Sequence, residues 1–221
     1  MMRLLQLMLI FLPWFARRRL LSWIFGYDLS ATSHIGWAWI YPRKLILEDY
    51  ATIGHLTVCK GLDLLHVRHH ASIGRGNWIT GYPSGSGNHF SHQLDRQPEL
   101  ILGEHAAITN RHLIDCTNRV EIGRFSTLAG FQSQILTHSI DLKESRQSSE
   151  PILIGDYCFV GTKCVLLGGC ALPDYSVLGA KSLLNKCHAE THRLYAGSPA
   201  LPVKELPATW RYFSRPSGFV A

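Results

Sequence analysis

An all-β prism wound from very short strands is what this sequence predicts, on three observations. From Ile154 the aliphatic residues return every six positions, at Val160, Leu166, Leu172, Leu178 and Leu184, with no break in phase. The fifth residue of successive sixes is small, as Cys158, Cys164, Cys170, Ser176 and Ser182, and Gly155, Gly161 and Gly179 take second positions. A step of six matches neither the 3.6-residue turn of a helix nor the alternation of a strand, and it marks a β-helix of hexapeptides.

Stacking explains the pattern. When three strands complete a coil, each aliphatic side chain points into a triangular prism above its counterpart one coil earlier. Small residues are needed where the chain bends, because neighbouring coils lie only about 4.8 Å apart. Glycine serves where the bend requires unusual backbone angles.

Composition sets outer limits. The 221 residues suit one domain with extensions, and 46% hydrophobic residues supply a core. A formal charge of +6 fits an anionic membrane surface, nucleic acid or the phosphates of a nucleotide cofactor; with no recognition helix or RNA-binding aromatic motif, nucleic acid is not expected. Six cysteines form no CxxC pair and no zinc spacing. Three fall on the small position of consecutive repeats, which reads as structural packing in a reducing compartment.

Met1 to Gly26 is far more apolar than the rest of the chain. The run from Leu4 to Ala16 is shorter than the roughly 20 residues that span a bilayer, and Pro13 interrupts it. Arg17, Arg18 and Arg19 follow, with no small-x-small cleavage site before them. Such a segment suits a helix in the interface of an anionic cytoplasmic leaflet, or a helix that closes the open end of the prism. Sixes resume at Leu47 and Ile53, weaken at Cys59 and Leu65, and shift phase at Val67, Ile73 and Ile79. Residues 82–98 break the pattern as a polar loop. The repeat returns at Leu102, Ile108 and Ile114, slips by two to Ile122 and Leu128, and breaks again over 137–151. Three regions result: a helical extension over 1–30, the prism over 31–186, and a tail over 187–221.

The run IGDYCFVGTKCVLLGGCALPDYSVLGAKSLLNK, followed by YAGSPALPVK, resembles the closing coils of the hexapeptide-repeat acyltransferases, the left-handed parallel β-helix O- and N-acetyltransferases. The resemblance spans roughly Leu47 to Lys204 and is specific in the C-terminal half. It implies the left hand of the coil, which composition does not, since parallel β crossovers are nearly always right-handed.

It also implies a chemistry. A histidine where the chain leaves the repeat before the last coils acts in that family as general base, which here is His138. Neutral imidazole suits the task near pH 7, removing the proton of a hydroxyl as it attacks a thioester, while a backbone N–H steadies the oxyanion. Asp141, Glu144, Asp115 or a backbone carbonyl would orient the ring. Asn110, His112, Asp115 and Asp141 are the candidate acceptor contacts. By resemblance, acetyl-CoA would lie in a cleft between subunits of a homotrimer, along Gly161, Thr162, Gly179, Ala180, Asn185 and Lys186, with Ser198, Pro199 and Lys204 near the adenine and phosphates. Lys181 stands where the family often has glycine, and Asn185 where it often has threonine, so the acyl length stays open.

The expectation is an acyl-CoA-dependent O-acetyltransferase, metal-free and cytoplasmic, acting on a sugar hydroxyl of a polysaccharide, glycolipid or nucleotide-sugar precursor. The alternatives are N-acylation of an amino sugar, a metal enzyme resembling γ-class carbonic anhydrases, and a non-catalytic scaffold. Twelve histidines keep the metal enzyme open, but His66, His69 and His70 crowd together, and His105 and His112 lack that family's spacing.

Overall fold

The computed structural model describes residues 2–85, 89–218 and 220. Met1, residues 86–88 of the first loop, Phe219 and Ala221 lie outside the described residues. The chain winds through three parallel sheets of seven, nine and seven strands, called here sheets A, B and C in the order a coil visits them. The six-residue column is the core: Ile154 pairs with Leu172, Val160 with Leu178 and Leu166 with Leu184, and all six are essentially inaccessible. Cys158, Cys164, Cys170, Ser176 and Ser182 are buried at the bends.

The phase slips have a structural cause. Sheet A strands carry two inward residues two apart, as in Leu45 and Leu47, Leu65 and Val67, Leu100 and Leu102, Val120 and Ile122, and Ile152 and Ile154, all buried. Each such strand lengthens its coil by two, so that Leu45 pairs with Leu65 and Leu100 with Val120. The winding starts at Asp28–Leu29 and runs past Lys186, because Arg193–Gly197 pairs in parallel with Val177 and Leu178. The chain then doubles back as the antiparallel strand Ala200–Glu205.

Three corners separate the sheets. The A/B corner carries a ladder of rings, Tyr50, His70, His105, Phe125, Tyr157, Tyr175 and His192, each at positive φ and each stacked on the next at 4.6–5.5 Å. The ring separation matches the strand spacing, so successive coils stack face to face. The tail packs across this ladder, with the Arg215 guanidinium between the rings of Tyr212 and Tyr157.

Two helices, α1 (Met2–Ile10) and α2 (Trp14–Phe25), close the first coil. Arg17 is buried and donates to the carbonyls of Gly36 and Ala38 at 2.7 and 2.8 Å, while Trp14 Nε1 donates to Ser33 O at 2.7 Å. An open β-helix end leaves such carbonyls unpaired, and α2 satisfies them. Of the two readings of this segment, Arg17 follows the capping one, while Leu4, Met8, Phe11, Phe15 and Trp23 remain exposed. Among the described residues no helix is long and apolar enough to cross a membrane.

Candidate active site

Both interruptions of the repeat leave the prism at the C/A corner. The first follows Trp78–Thr80 and the second follows Gln134–Leu136, strands of sheet C. Between them lies Leu113–Asp115, in register with both, so that Asp115 pairs with Thr80 on one side and Leu136 on the other. His138, two residues beyond Leu136, therefore emerges directly above Asp115. The second interruption is an antiparallel hairpin, His138–Asp141 against Arg146–Ser149.

His138 Nδ1 donates to Asp115 Oδ2 at 2.9 Å. The carboxylate is itself held: Oδ1 accepts the Thr117 hydroxyl at 2.6 Å, and Oδ2 accepts the Thr137 hydroxyl at 2.6 Å and the N–H groups of Thr137 and His138 at 3.0 and 3.1 Å. Burial alone would raise the Asp115 carboxyl, but the hydrogen bonds from His138, Thr117 and Thr137 outweigh it and hold the group below its ordinary value. The bond to Asp115 raises His138, against the opposing effect of burial. A proton fixed on Nδ1 leaves Nε2 as the basic atom, and among the described residues Nε2 makes no hydrogen bond. The ring is about one third exposed, as a base that meets an external hydroxyl must be.

The first loop folds against this histidine. The Phe90 ring stands edge-on to His138 at 6.3 Å. Gln93 clasps Ser149, donating to its carbonyl and accepting its N–H, both at 3.0 Å, and Asn118 adds a bond to the same carbonyl at 3.2 Å. Buried Arg96 ties the neck of the loop to the carbonyls of Tyr82 and Thr117 and lies 4.6 Å over the Phe90 ring. The loop and hairpin are thus one polar-laced cover beside His138.

Other expected residues fall elsewhere. His112 is buried at the B/C corner: Nδ1 accepts Ser133 N–H at 3.2 Å, Nε2 faces the Thr109 hydroxyl at 3.0 Å, and burial pushes the ring down to about 4. With both nitrogens engaged it has nothing to offer an acceptor. Asn110 Oδ1 accepts Arg75 N–H at 2.8 Å on the preceding coil, and Asp141 Oδ1 caps the hairpin turn by accepting the N–H groups of Lys143 and Glu144 at 3.0 and 3.2 Å. Of the four expected acceptor contacts, only Asp115 touches His138, as its orienting partner.

The expected donor positions gather mainly at the B/C corner. Gly161 and Thr162 lie one coil from Gly179 and Ala180, and Ser198 and Pro199 form the turn between the last two strands of sheet B, Arg193–Gly197 and Ala200–Glu205. Thr162 donates to Phe131 O at 3.0 Å and fills the space beside Gly130. Asn185 and Lys186 instead follow sheet C, and Lys204 is exposed on the antiparallel strand. Sequence reasoning missed Arg111 and Lys163, which with Lys181 form a basic column on the B/C corner at φ of 56–59°. Part of the signal was available: Lys163 and Lys181 each stand one residue before a small fifth position, whereas Arg111 precedes His112. His138 lies one full sheet away, across sheet C.

Superposition on solved structures gives a TM-score of 0.59 with the polysialic acid O-acetyltransferase OatWY, at 18% identity over 81% of this chain and 84% of that one. With the hexapeptide-repeat acetyltransferase VCA0836 of Vibrio cholerae, solved with acetyl-CoA, the TM-score is 0.50 at 21% identity, over 63% of this chain and 69% of that one. The fold is that of the hexapeptide-repeat acetyltransferases. Its coil is the left-handed parallel β-helix that the resemblance implied. No family model matches the chain, and no curated protein matches it by sequence. Among the described residues no three His, Cys, Asp or Glu side chains are grouped to hold a metal ion; His69, His70 and His105 instead pack ring against ring.

Proposed function

We propose that this protein is an acetyl-CoA-dependent O-acyltransferase acting on a glycan hydroxyl, with His138 as general base and Asp115 as its orienting partner. The observation that carries the reading is the Asp115–His138 pair at 2.9 Å, with Nε2 unengaged at the corner where both insertions leave the prism. His138 takes the acceptor proton as the hydroxyl oxygen attacks the thioester carbonyl. The thiolate leaves as the tetrahedral intermediate collapses, and imidazolium returns the proton to it. Buried Asp115 stabilises that imidazolium.

The separation of the two corners supports a homotrimer. The outward column of sheet C between them reads Trp39, Val58, Trp78, Leu113, Gln134, Val165 and Leu183, all in register. Trp78 and Leu113 are 48% and 38% exposed. An apolar stripe on this face suits burial against a second copy, and three heterologous contacts close a ring. His138 of one subunit would then face the basic B/C corner of the next, where the phosphates of the donor find Arg111, Lys163 and Lys181.

The exposed face of α1 and α2, with Phe11, Phe15 and Trp23 beside exposed Arg19, supports peripheral contact with an anionic cytoplasmic membrane. Three such faces on one end of a trimer would bind together. The test is to supply acetyl-CoA and a glycan panel and to characterise the product. An alkali-labile acetyl ester on the glycan supports O-transfer, an alkali-stable amide moves the reading to N-acylation, and absence of any product across the panel refutes it.

A further inference from the structure

A cleft of about 590 Å³ opens between the first loop and the hairpin, lined by His89, Phe90, Ser91 and His92 from one and by Ile140, Ser145, Arg146 and Gln147 from the other. Its size is that of a small-molecule site. Its position is fixed by the hairpin register: Ile140 and Gln147 are direct partners, as are His138 and Ser149. Residues two apart share a face of a strand, so the face that lines the cleft at Ile140 continues to His138. Phe90 joins both, lining the cleft and standing edge-on to the His138 ring.

The lining has a definite chemistry. Gln147 Oε1 is buried and accepts no hydrogen bond among the described residues. Phe90 and Ile140 give apolar surface for a sugar ring. Arg146, also part of the lining, adds a permanent positive charge that makes no ion pair with a carboxylate among the described residues. Its cross-strand neighbour Asp141 is occupied by the N–H groups of the hairpin turn, and Glu144 lies 3.9 Å from Lys143. His89 and His92 add imidazoles, which repel no anion. Guanidinium binds carboxylate or phosphate oxygens through its planar fork.

We infer that this cleft is the acceptor subsite and that it takes an acidic sugar, one whose ring carries a carboxylate or phosphate and whose hydroxyl reaches His138. The inference rests on the acyltransferase reading but is tested without it, by binding in the absence of any donor. Calorimetric titration of the full chain with sialic acid oligomers and with neutral maltooligosaccharides of matched length reads the preference directly. The acidic oligomer binds at least tenfold more tightly, and more weakly as salt rises. Arg146→Ala lowers that affinity about tenfold, and Arg146→Lys restores part of it. Arg146 lies on an exposed hairpin, so these variants fold, and their circular dichroism and melting match wild type. Equal affinity for both oligomers, or an Arg146→Ala protein that binds as wild type does, overturns the inference. Charge-selective binding without acetyl transfer would leave this subsite standing and sink the reaction proposed above.

Discussion

Replacing Asp115 by asparagine separates the two tasks assigned to this carboxylate, fixing the tautomer of His138 and supplying a negative charge. Oδ2 accepts two backbone N–H groups, from Thr137 and His138, besides the imidazole. An amide NH₂ in that position would confront both donors, so the asparagine oxygen must take it, and the NH₂ turns to the Thr117 hydroxyl, which can rotate to accept. The tautomer therefore survives, and only the charge-assisted strength of one hydrogen bond is lost. That difference is about 1.5 kcal/mol, or roughly tenfold in rate. Alanine is different, since it strands the Thr137 and His138 N–H groups and frees the ring, and a loss of about 10³-fold follows, close to that of removing the base. Initial rates of thiol release at saturating acetyl-CoA measure both. Because Asp115 raises His138, the base is neutral only above its ordinary range, and activity falls as pH drops through the raised value. Asp115→Asn moves that acidic limb to lower pH. An asparagine variant as inactive as alanine, or one whose acidic limb stays in place, would refute the reasoning.

Other expectations follow from the same geometry. Arg17→Met leaves the carbonyls of Gly36 and Ala38 unpaired at the prism end and should cost about 2–4 kcal/mol, seen as a lower thermal midpoint; an unchanged midpoint rejects the capping role. Trp78→Glu places a charge in the apolar stripe of sheet C and should shift the mass measured by light scattering from trimer to monomer, with loss of activity. Lys163→Glu reverses a charge on the basic corner and should raise KM for acetyl-CoA about tenfold while kcat holds; no change would remove this corner from donor binding. Phe11→Ser with Trp23→Ser should abolish flotation with anionic vesicles, which the wild type shows if the exposed helical face meets membrane. Below its ordinary value of 3.8 the Asp115 carboxyl begins to protonate in the unfolded chain, and the stability it contributes at higher pH is lost as pH falls through its lower folded value.

The regular coils were open to sequence reading because their side chains obey one constraint each: inward positions must be aliphatic and bend positions small. The same rule identifies what was misread. His112 stands two residues before inward Ile114, as Cys164 does before Leu166 and Ser133 before Ile135, and all three bend residues are buried. A histidine is tolerated in that column because Thr109, three residues earlier, and Ser133, 21 residues later, satisfy its ring, and the second partner leaves no local mark. The slips at Val67 and Ile122 looked like loss of pattern, yet they reflect sheet A strands with two inward residues. Asp115 was one of several possible partners for His138, since only the register of three strands decides that it lies beneath the imidazole. Arg17 resembled its two neighbours in the sequence, yet it is buried against the carbonyls of Gly36 and Ala38, while Arg18 reaches the Leu29 carbonyl from a half-buried position and Arg19 is exposed.

On the mechanism proposed, His138, aligned by Asp115, takes the proton of an acceptor hydroxyl as its oxygen attacks acetyl-CoA. Acceptor-dependent release of free thiol, followed for wild type and His138→Ala side by side, tests it most directly. Release should require the acceptor and fall by about 10²- to 10⁴-fold in the variant. Thiol release that continues undiminished in His138→Ala would contradict it.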